Sequence, residues 1–401
     1  MRNHWSFHSA GQLIFGRGIV AQIGDLVAQR KLRRLFLVAD QRLAAAGIVE
    51  RVAAPLRDAE IELAIFDEGE AEPSVAVAVR AAEAARQFGP DGVVGLGGGS
   101  NLDLAKIVSI LVTHGGEPAR YFGFNNVPGP VLPLVCVPTT AGTGSEVSHA
   151  AVLTDTANHL KVSTLSQFLR PALAVVDPAL TDGCPRQVTA DSGIDALTHA
   201  IEAYTAIDYN QLAAAPGEPV AYEGRFPLGM ALAEQAIELV GKHLVVAVQD
   251  GTNQAARDGM ALAATTAGLA FSNCAVALVH ALEYPLGGAV HCSHGAGNGL
   301  LLPFVMRYNL PARLPDFARI AALLGENIAG LSEQQAAERA IAAVERIRAA
   351  IGIPPRVRDL GARREQLPLL ANKAFGIKRL MGTNPRQPTE ADLLGILEAA
   401  W

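Results

Sequence analysis

Cysteine is scarce along these 401 residues. The four thiols, Cys136, Cys184, Cys274 and Cys292, are scattered with no paired spacing, so no disulfide framework is indicated and a reducing cytoplasm is the expected setting. No uninterrupted membrane-length apolar run occurs, and the opening MRNHWSFHSAGQLIFGRG has no continuous apolar segment of the kind a secretory leader carries. Charge of one sign is not concentrated either. A formal net charge of −6, a pI near 5.9 and the lack of any long Lys/Arg run argue against a nucleic-acid partner or an acidic membrane. The short stretch Arg30-Lys31-Leu32-Arg33-Arg34 reads as a solvated helix end before a strand. Internal repeats and low-complexity tracts are missing as well.

Half of the residues are apolar and 18% are charged, which excludes disorder and fits a globular enzyme with a large buried fraction. The length exceeds one ordinary core and predicts two domains. In the first half, short aliphatic runs alternate with Ala-rich stretches, the pattern of a parallel α/β sheet. Segments 33–40, 62–69, 91–100 and 133–140 read as strands. The stretch from Ser74 to Gly89 reads as a helix with a Ser cap at its start and a Gly stop at its end. After Asp177-Pro178 and Pro185 the pattern becomes Ala/Leu/Ile-rich with helical periodicity almost to Trp401. The expected division is therefore an α/β domain over 1–184 and an all-α domain over 185–401. Residues 205–229 form a Pro/Gly/Tyr-containing loop long enough to suggest a lid or an interface element.

Four residues carry the strongest chemical signal. Asp195 and His199, in SGIDALTHAIEAY, stand at i and i+4 and would share one helix face. His280, in AVALVHALEYPLGG, and His294, in HCSHGAGNG, add two imidazoles from elements distant in sequence. A single His in such surroundings is ordinarily a hydrogen-bonded core group. Four such residues among small apolar neighbours, where unpaired polar groups would be costly, point instead to a mononuclear metal site. Three nitrogens and one hard oxygen suit a divalent first-row metal and do not separate Fe²⁺ from Zn²⁺.

The first half carries phosphate-type loops. Gly95-Leu-Gly-Gly-Gly-Ser100 lies between a strand and a helix starting near Asn101, where glycine lets the backbone and the helix N–H groups approach an anion. It departs from G-x-G-x-x-G at Ser100, and a turn with no ligand is the alternative. Asp40 ends a strand, where its carboxylate could accept from a ribose 2′-hydroxyl and repel a 2′-phosphate; capping the next helix is an equal alternative. Pro138-Thr-Thr-Ala-Gly-Thr-Gly-Ser-Glu146 is a third small-residue loop, suited to a pyrophosphate or a nicotinamide, or simply a Gly/Thr turn.

GGGSNLDLAK, PTTAGTGSE, the Asp195/His199 helix, His280 with PLGG, HGAGN and the terminal TNPRQPTEADLLGILEAAW occur in one order across nearly the whole chain. Together they resemble the iron-containing (group III) alcohol dehydrogenases. The resemblance implies an N-terminal dinucleotide-binding domain, a helical metal-binding domain, a cleft between them and a homo-oligomer. Asp195, His199, His280 and His294 would hold Fe²⁺, with Zn²⁺ or another divalent metal as the alternative. Gly97, Gly98, Gly99, Ser100 and Asp103 would hold the pyrophosphate and adjacent groups. Thr139, Thr140 and Thr143 would line the nicotinamide, Lys161 would reach the cofactor ribose, and Asp40 would favour NAD over NADP. The implied reaction is hydride transfer between a primary alcohol, or a small hydroxyacid, and NAD, giving the aldehyde.

One position departs from the family. Many members carry a His immediately before Pro-Leu-Gly, where this chain has Tyr284, so Tyr284 and the nearby His291 become the candidate catalytic residues. Tyr284 and the long loop also resemble the branch of hydroxyacid–oxoacid transhydrogenases, which move a hydride from 4-hydroxybutyrate to 2-oxoglutarate through a tightly held nicotinamide. Arg225 in that loop is a candidate partner for a substrate carboxylate. A lyase of the dehydroquinate synthase kind would need converging Lys and Arg, in which 190–300 is poor. A sensor with decayed catalysis would have no need of four intact ligands.

Overall fold

The computed structural model describes residues 2–156, 160–213 and 218–401. It separates into two compact units, one made of His8–Thr140 and Gly144–Gly183 and the other holding the rest of the described chain.

The first unit is α/β. Its strands are β1 (Leu13–Phe15), β2 (Arg34–Val38), β3 (Glu62–Phe66), β4 (Gly92–Gly97), β5 (Gly123–Phe124), β6 (Leu134–Pro138), β7 (Ala150–Asp155), β8 (Leu160–Leu165) and β9 (Leu173–Val176). Its helices are α1 (Ile23–Ala28), α2 (Gln41–Ala45), α3 (Ile48–Asp58), α4 (Val75–Phe88) and α5 (Gly99–His114). Six strands form a parallel sheet in the order β1-β9-β6-β4-β2-β3, and β5-β8-β7 form a smaller one. Strands covered on both faces need apolar residues on both, and RLFLV, GVVGLG and LVCVP supply them.

Alternation sorts those side chains into two cores. Leu35 and Leu37 pack with Val94, Leu96, Val135 and the α1 and α3 residues Ile23, Val52 and Leu56. Phe36 and Val38 face Val77, Ala81, Leu104 and Val108 of α4 and α5 on the other side. The connection after β2 therefore leaves by one face and the connection after β4 by the other. Those two strands are neighbours. Their carboxyl ends, followed by Asp40 and by Gly97–Ser100, mark the switch point at which open α/β sheets bind ligands.

The four expected strands are present, each shorter than its apolar run because the flanking residues serve as caps and turns. The expected helix is α4: Ser74 Oγ accepts from Val77 N, and Gly89 ends the helix at φ 70. Sequence reasoning did not single out β1, β5, β7, β8 or β9, which have two to six residues each. Runs of two to four residues, as in β1, β5 and β9, are too short to show a period.

The second unit is helical. It contains α6 (Arg186–Thr205), α7 (Pro227–Gln249), α8 (Gln254–Phe271), α9 (Leu278–Val290) and α10 (His294–Asn309). It continues with α11 (Leu314–Leu323), α12 (Glu333–Ile351), α13 (Leu367–Phe375), α14 (Lys378–Thr383) and α15 (Glu390–Ala399). Among the described residues no strand follows β9. Helix α6 is central, packed by α7, α8 and α10. From Thr189 to Thr205 only Ser192 escapes full burial, so any polar group on α6 needs a partner inside the protein. The long loop after α6 is pinned at its ends: Arg225 Nε bonds Asp208 Oδ1 at 2.8 Å and its Nη1 bonds Asp316 Oδ2 at 2.5 Å. Residues 214–217 of that loop lie outside the described residues.

Candidate metal centre and cofactor loops

Helix α6 presents Asp195, His199 and Glu202 at i, i+4 and i+7, one face of the helix, and all three are buried. Glu202 receives the N–H groups of Ala277 at 2.9 Å and Val279 at 2.6 Å, which fixes the first turn of α9. The same carboxylate accepts from His280 Nδ1 at 2.6 Å. One helix therefore supplies two candidate ligands and orients a third. His291, at φ 53, ends α9 in a left-handed conformation, and the chain turns back so that His294 opens α10. His294 Nδ1 donates to Glu283 Oε2, and Glu283 is fully buried.

The glycines of HGAGNG make this approach possible. A Cβ on Gly295 would lie 2.0 Å from the carbonyl oxygen of Asp191, one on Gly299 2.6 Å from Ile194, and one on Gly297 2.8 Å from Glu283. Any larger residue would force α10 away from α6 or from Glu283.

Ligand atoms of Asp195, His280 and His294 lie within 4.8 Å of one another. With both Nδ1 atoms donating to carboxylates, the Nε2 lone pairs of His280 and His294 are left for the shared space. His280 Nε2 stands 4.0 Å from Asp195 Oδ1, too far for a hydrogen bond. Asn298, one turn along α10, donates from Nδ2 to Asp195 Oδ1 at 2.8 Å and lies 3.2 and 3.1 Å from the Nε2 atoms of His280 and His294. The ring of His199 stacks between Phe271, at 4.1 Å, and His280, at 4.8 Å. Its Nδ1 is buried with no hydrogen-bond partner, 3.8 Å from Asp195 Oδ2.

Burial pushes the His199 imidazole down to about 4, so it is a neutral donor at pH 7. Burial alone would raise Asp195, but the imidazoles of His199, His294 and His280 and the Asn298 amide hold its carboxyl below the usual carboxylate range. The carboxylate of Asp195 and the ring nitrogens of His280 and His294 form a converging donor set that fits a divalent cation, and the orphaned ring nitrogen of His199 lies beside it, outside that set.

Tyr284 belongs to this cluster, its ring edge-on to His280 at 6.5 Å and tilted to His294 at 5.9 Å. Burial raises its hydroxyl well above the ordinary tyrosine value, so it remains protonated. His291 is exposed at the end of α9, and among the described residues no ring or side-chain hydrogen-bond contact joins it to the cluster. Glu202, Glu283 and Asn298 were missed by sequence reasoning. Their signal was a helical offset of three, three and four residues from His199, His280 and His294, in segments too apolar to leave an acid or amide unpaired. Arg225, the candidate partner for a substrate carboxylate, is held in ion pairs with Asp208 and Asp316.

In the α/β unit, Gly97 has φ 145, and a Cβ there would lie 2.4 Å from Asn101 Nδ2, so the turn from β4 into α5 demands glycine. Gly98 is the N-cap of α5 and Gly99 its first residue, and Ser100 Oγ donates to the Ala71 carbonyl at 2.5 Å. Thr139 N donates to the Gly97 carbonyl at 3.0 Å, and Thr140 lies against Gly98. Asp40 caps α2 through Oδ1, which accepts from Arg42 N and Leu43 N, while Oδ2 accepts from Asn101 Nδ2 at 2.8 Å. Asp103 points its carboxylate at protein donors, Ser145 Oγ at 2.6 Å and Val152 N at 2.9 Å, and so ties β7 to α5. Lys161, on β8, lies 3.2 Å from Glu72 Oε1. Thr143 falls in the three residues grouped with the helical unit, where Gly142 packs so closely on Ser192 that a Cβ would come within 2.5 Å.

Beneath the glycine loop, Lys106 is fully buried. Its ammonium donates to Ser145 Oγ at 2.7 Å, Ser148 Oγ at 3.1 Å and the Ala150 carbonyl at 2.7 Å. Burial lowers its pKa, opposed chiefly by Asp103, 3.7 Å away.

Comparison with known proteins gives one answer for both units. Residues 10–178 match the family described as iron-containing alcohol dehydrogenase, and 222–401 match the C-terminal domain of the Fe-containing alcohol dehydrogenase family. The chain is 37% identical over 387 residues to the NAD-dependent methanol dehydrogenase of Bacillus methanolicus, covering 96% of this chain and 97% of that one. It is 39% identical over 389 residues to the 1,3-propanediol dehydrogenase of Klebsiella pneumoniae, covering 96% of each. A crystal structure of 1,3-propanediol oxidoreductase superposes with a TM-score of 0.93 at 37% identity, covering 100% of both chains.

Proposed function

The chain belongs to the iron-containing alcohol dehydrogenase family, and on that premise we propose that it transfers a hydride between a primary alcohol and the nicotinamide of NAD, with a divalent cation held by Asp195, His199, His280 and His294. That it is an alcohol oxidoreductase follows from the family. The observation that carries the finer reading is the convergence of the Asp195, His280 and His294 ligand atoms within 4.8 Å, with the neutral His199 ring stacked beside them. Lewis-acid stabilisation of charge on the substrate oxygen is the chemistry a bound Fe²⁺ or Zn²⁺ would supply.

The chain's own groups set the conditions for that chemistry. Asp195 stays ionised and supplies the one negative charge among the candidate ligands. Glu202 and Glu283 hold the Nδ1 protons of His280 and His294, so each ring turns an unprotonated Nε2 to the site. Tyr284 walls the cluster as a protonated phenol, a hydrogen-bond donor rather than a base. For the cofactor, Gly97, Gly98 and Gly99 open the start of α5 to a pyrophosphate, with Ser100 beside it. Asp103 acts through the position of β7. Thr139, Thr140 and Thr143 line the nicotinamide and Lys161 reaches a ribose. Asp40, fixed at the switch point by Asn101, favours NAD by repelling a 2′-phosphate. The names of the relatives, methanol and 1,3-propanediol dehydrogenases, support a small primary alcohol as substrate. The ion pairs of Arg225 tell against that residue as the recogniser of a substrate carboxylate.

The test is to follow NADH absorbance when purified protein, loaded with Fe²⁺ or Zn²⁺, meets NAD⁺ and a panel of primary alcohols. NADH should accumulate, stop on chelation and resume on readdition of metal. No NADH with any alcohol, or hydride recovered only in a paired oxoacid and never in free NADH, overturns the reading; the second result selects the transhydrogenase.

A further inference from the structure

The groups that support the candidate ligands close on themselves, and we propose that they form a ring of positioning residues, Glu202, Glu283 and Asn298, which builds the metal site as one unit before metal arrives. The proposal rests on the metal-site reading above. Helix α6 contributes Glu202, which holds His280 of α9 at 2.6 Å. Helix α9 contributes Glu283, which holds His294 of α10. Helix α10 contributes Asn298, which holds Asp195 of α6 at 2.8 Å. Each helix thus gives one ligand of the ring and the support of the next helix's ligand, α6 carrying His199 besides, and the third support returns to the first helix. A cation that takes up the two Nε2 lone pairs leaves the Asn298–Asp195 bond as the closing link.

The construction has physical reasons behind it. Glu202 is tied to Ala277 N and Val279 N as well as to the imidazole, so it cannot swing away without unfastening the start of α9. Glu283 is fully buried against Gly297, which leaves room for its carboxylate and for nothing bulkier. Asn298 is fully buried on α10, four residues after the ligand that Glu283 holds. In such a ring, loss of one support frees a ligand whose movement also slackens the other two. Three independent carboxylate–imidazole or amide–carboxylate pairs would instead act separately. His199 stands outside the ring, held by stacking on Phe271 and His280 rather than by a carboxylate on Nδ1.

The experiment measures Zn²⁺ dissociation constants by chelator competition, and the visible spectrum of the Co²⁺-loaded protein, for Glu202→Gln, Glu283→Gln, Asn298→Ala and the Glu283→Gln/Asn298→Ala double variant. Each single variant should weaken Zn²⁺ binding by roughly 10–100-fold, the range for removing outer partners of metal ligands. Each should also shift the Co²⁺ spectrum, which a purely structural defect would not do. The double variant should weaken binding by clearly less than the product of the two singles. A dissociation constant within threefold of the parent for Glu283→Gln or Asn298→Ala overturns the proposal, and so does a fully multiplicative double variant. If Glu202→Gln fails to fold, the Glu283 and Asn298 variants decide alone. His280→Ala separates the two levels. If it keeps parental Zn²⁺ affinity, the metal-site reading itself is wrong; if it loses Zn²⁺ while Glu283→Gln does not, only the ring fails.

Discussion

The α/β unit and the helical unit each bury a charge inside a polar cluster, and the two clusters are finished differently. Around Lys106 every donor is used: three N–H bonds meet Ser145, Ser148 and the Ala150 carbonyl. Around Asp195 the protein stops short. His199 Nδ1 and Asn298 Oδ1 are buried without hydrogen-bond partners, and the carboxylate and imidazole of Asp195 and His280 face each other at 4.0 Å. A buried charge that the protein satisfies by itself is a fastening. One that leaves buried atoms such as His199 Nδ1 and Asn298 Oδ1 unsatisfied beside it is a socket.

Replacing a group in each cluster should break this contrast most sharply. Asp195→Ala should abolish metal retention and lower kcat/KM by roughly a thousandfold, since Lewis-acid stabilisation is worth several kcal/mol and each 1.36 kcal/mol is tenfold. It should leave stability to urea nearly intact in the metal-free protein; parental metal content in the variant refutes the ligand assignment. Lys106→Met should do the opposite. Removing one partner of a buried ionic network costs about 3–5 kcal/mol, read as a lower urea midpoint, while Zn²⁺ affinity stays at the parental value. A Lys106→Met protein of full stability would show that the network is not a fastening.

Acid should probe the socket next. The folded chain holds His199 at about 4, below its ordinary 6.5, so between those values the unfolded chain binds a proton that the folded chain refuses. Stability of the metal-free protein therefore falls as pH drops through that window, by about 3 kcal/mol at the most. His199→Phe should flatten the slope, and a parental slope in that variant would locate the effect elsewhere. The smallest expected change is at His291. Its left-handed backbone favours glycine, so His291→Gly should raise stability by at most about 1 kcal/mol with activity unchanged. A tenfold loss of kcat would support His291 as a catalytic residue instead.

Different parts of this architecture were legible in the chain to different degrees. The sheet strands after which Asp40 and the glycine loop come were visible because strands covered on both faces must be apolar throughout, and α4 because Ser74 and Gly89 bracket it. The β7–β8 pair was not, because β7 alternates between half-buried and buried residues and LKVSTL of β8 mixes polar and apolar ones, with no run long enough to separate either from loop. Asp195, His199, His280 and His294 could be read from residue type and helical offset. Their supports were missed, since Glu202 and Glu283 resemble ordinary helix-surface acids unless their offset from the histidines and the apolar segments around them are weighed. Asp40 shows a limit of another kind: cap and ribose partner were equal alternatives from the sequence, and its Oδ1 does cap α2 while Oδ2 is held by Asn101.

The bonds from Glu202 to Ala277 N and Val279 N give the protein an internal clock. The carboxylate that steers His280 also accepts from two amide groups, so fixing the imidazole should slow the exchange of those amide protons. Cation occupancy in the helical unit should thus be readable, without substrate or cofactor, as slowed deuterium uptake at the first turn of α9.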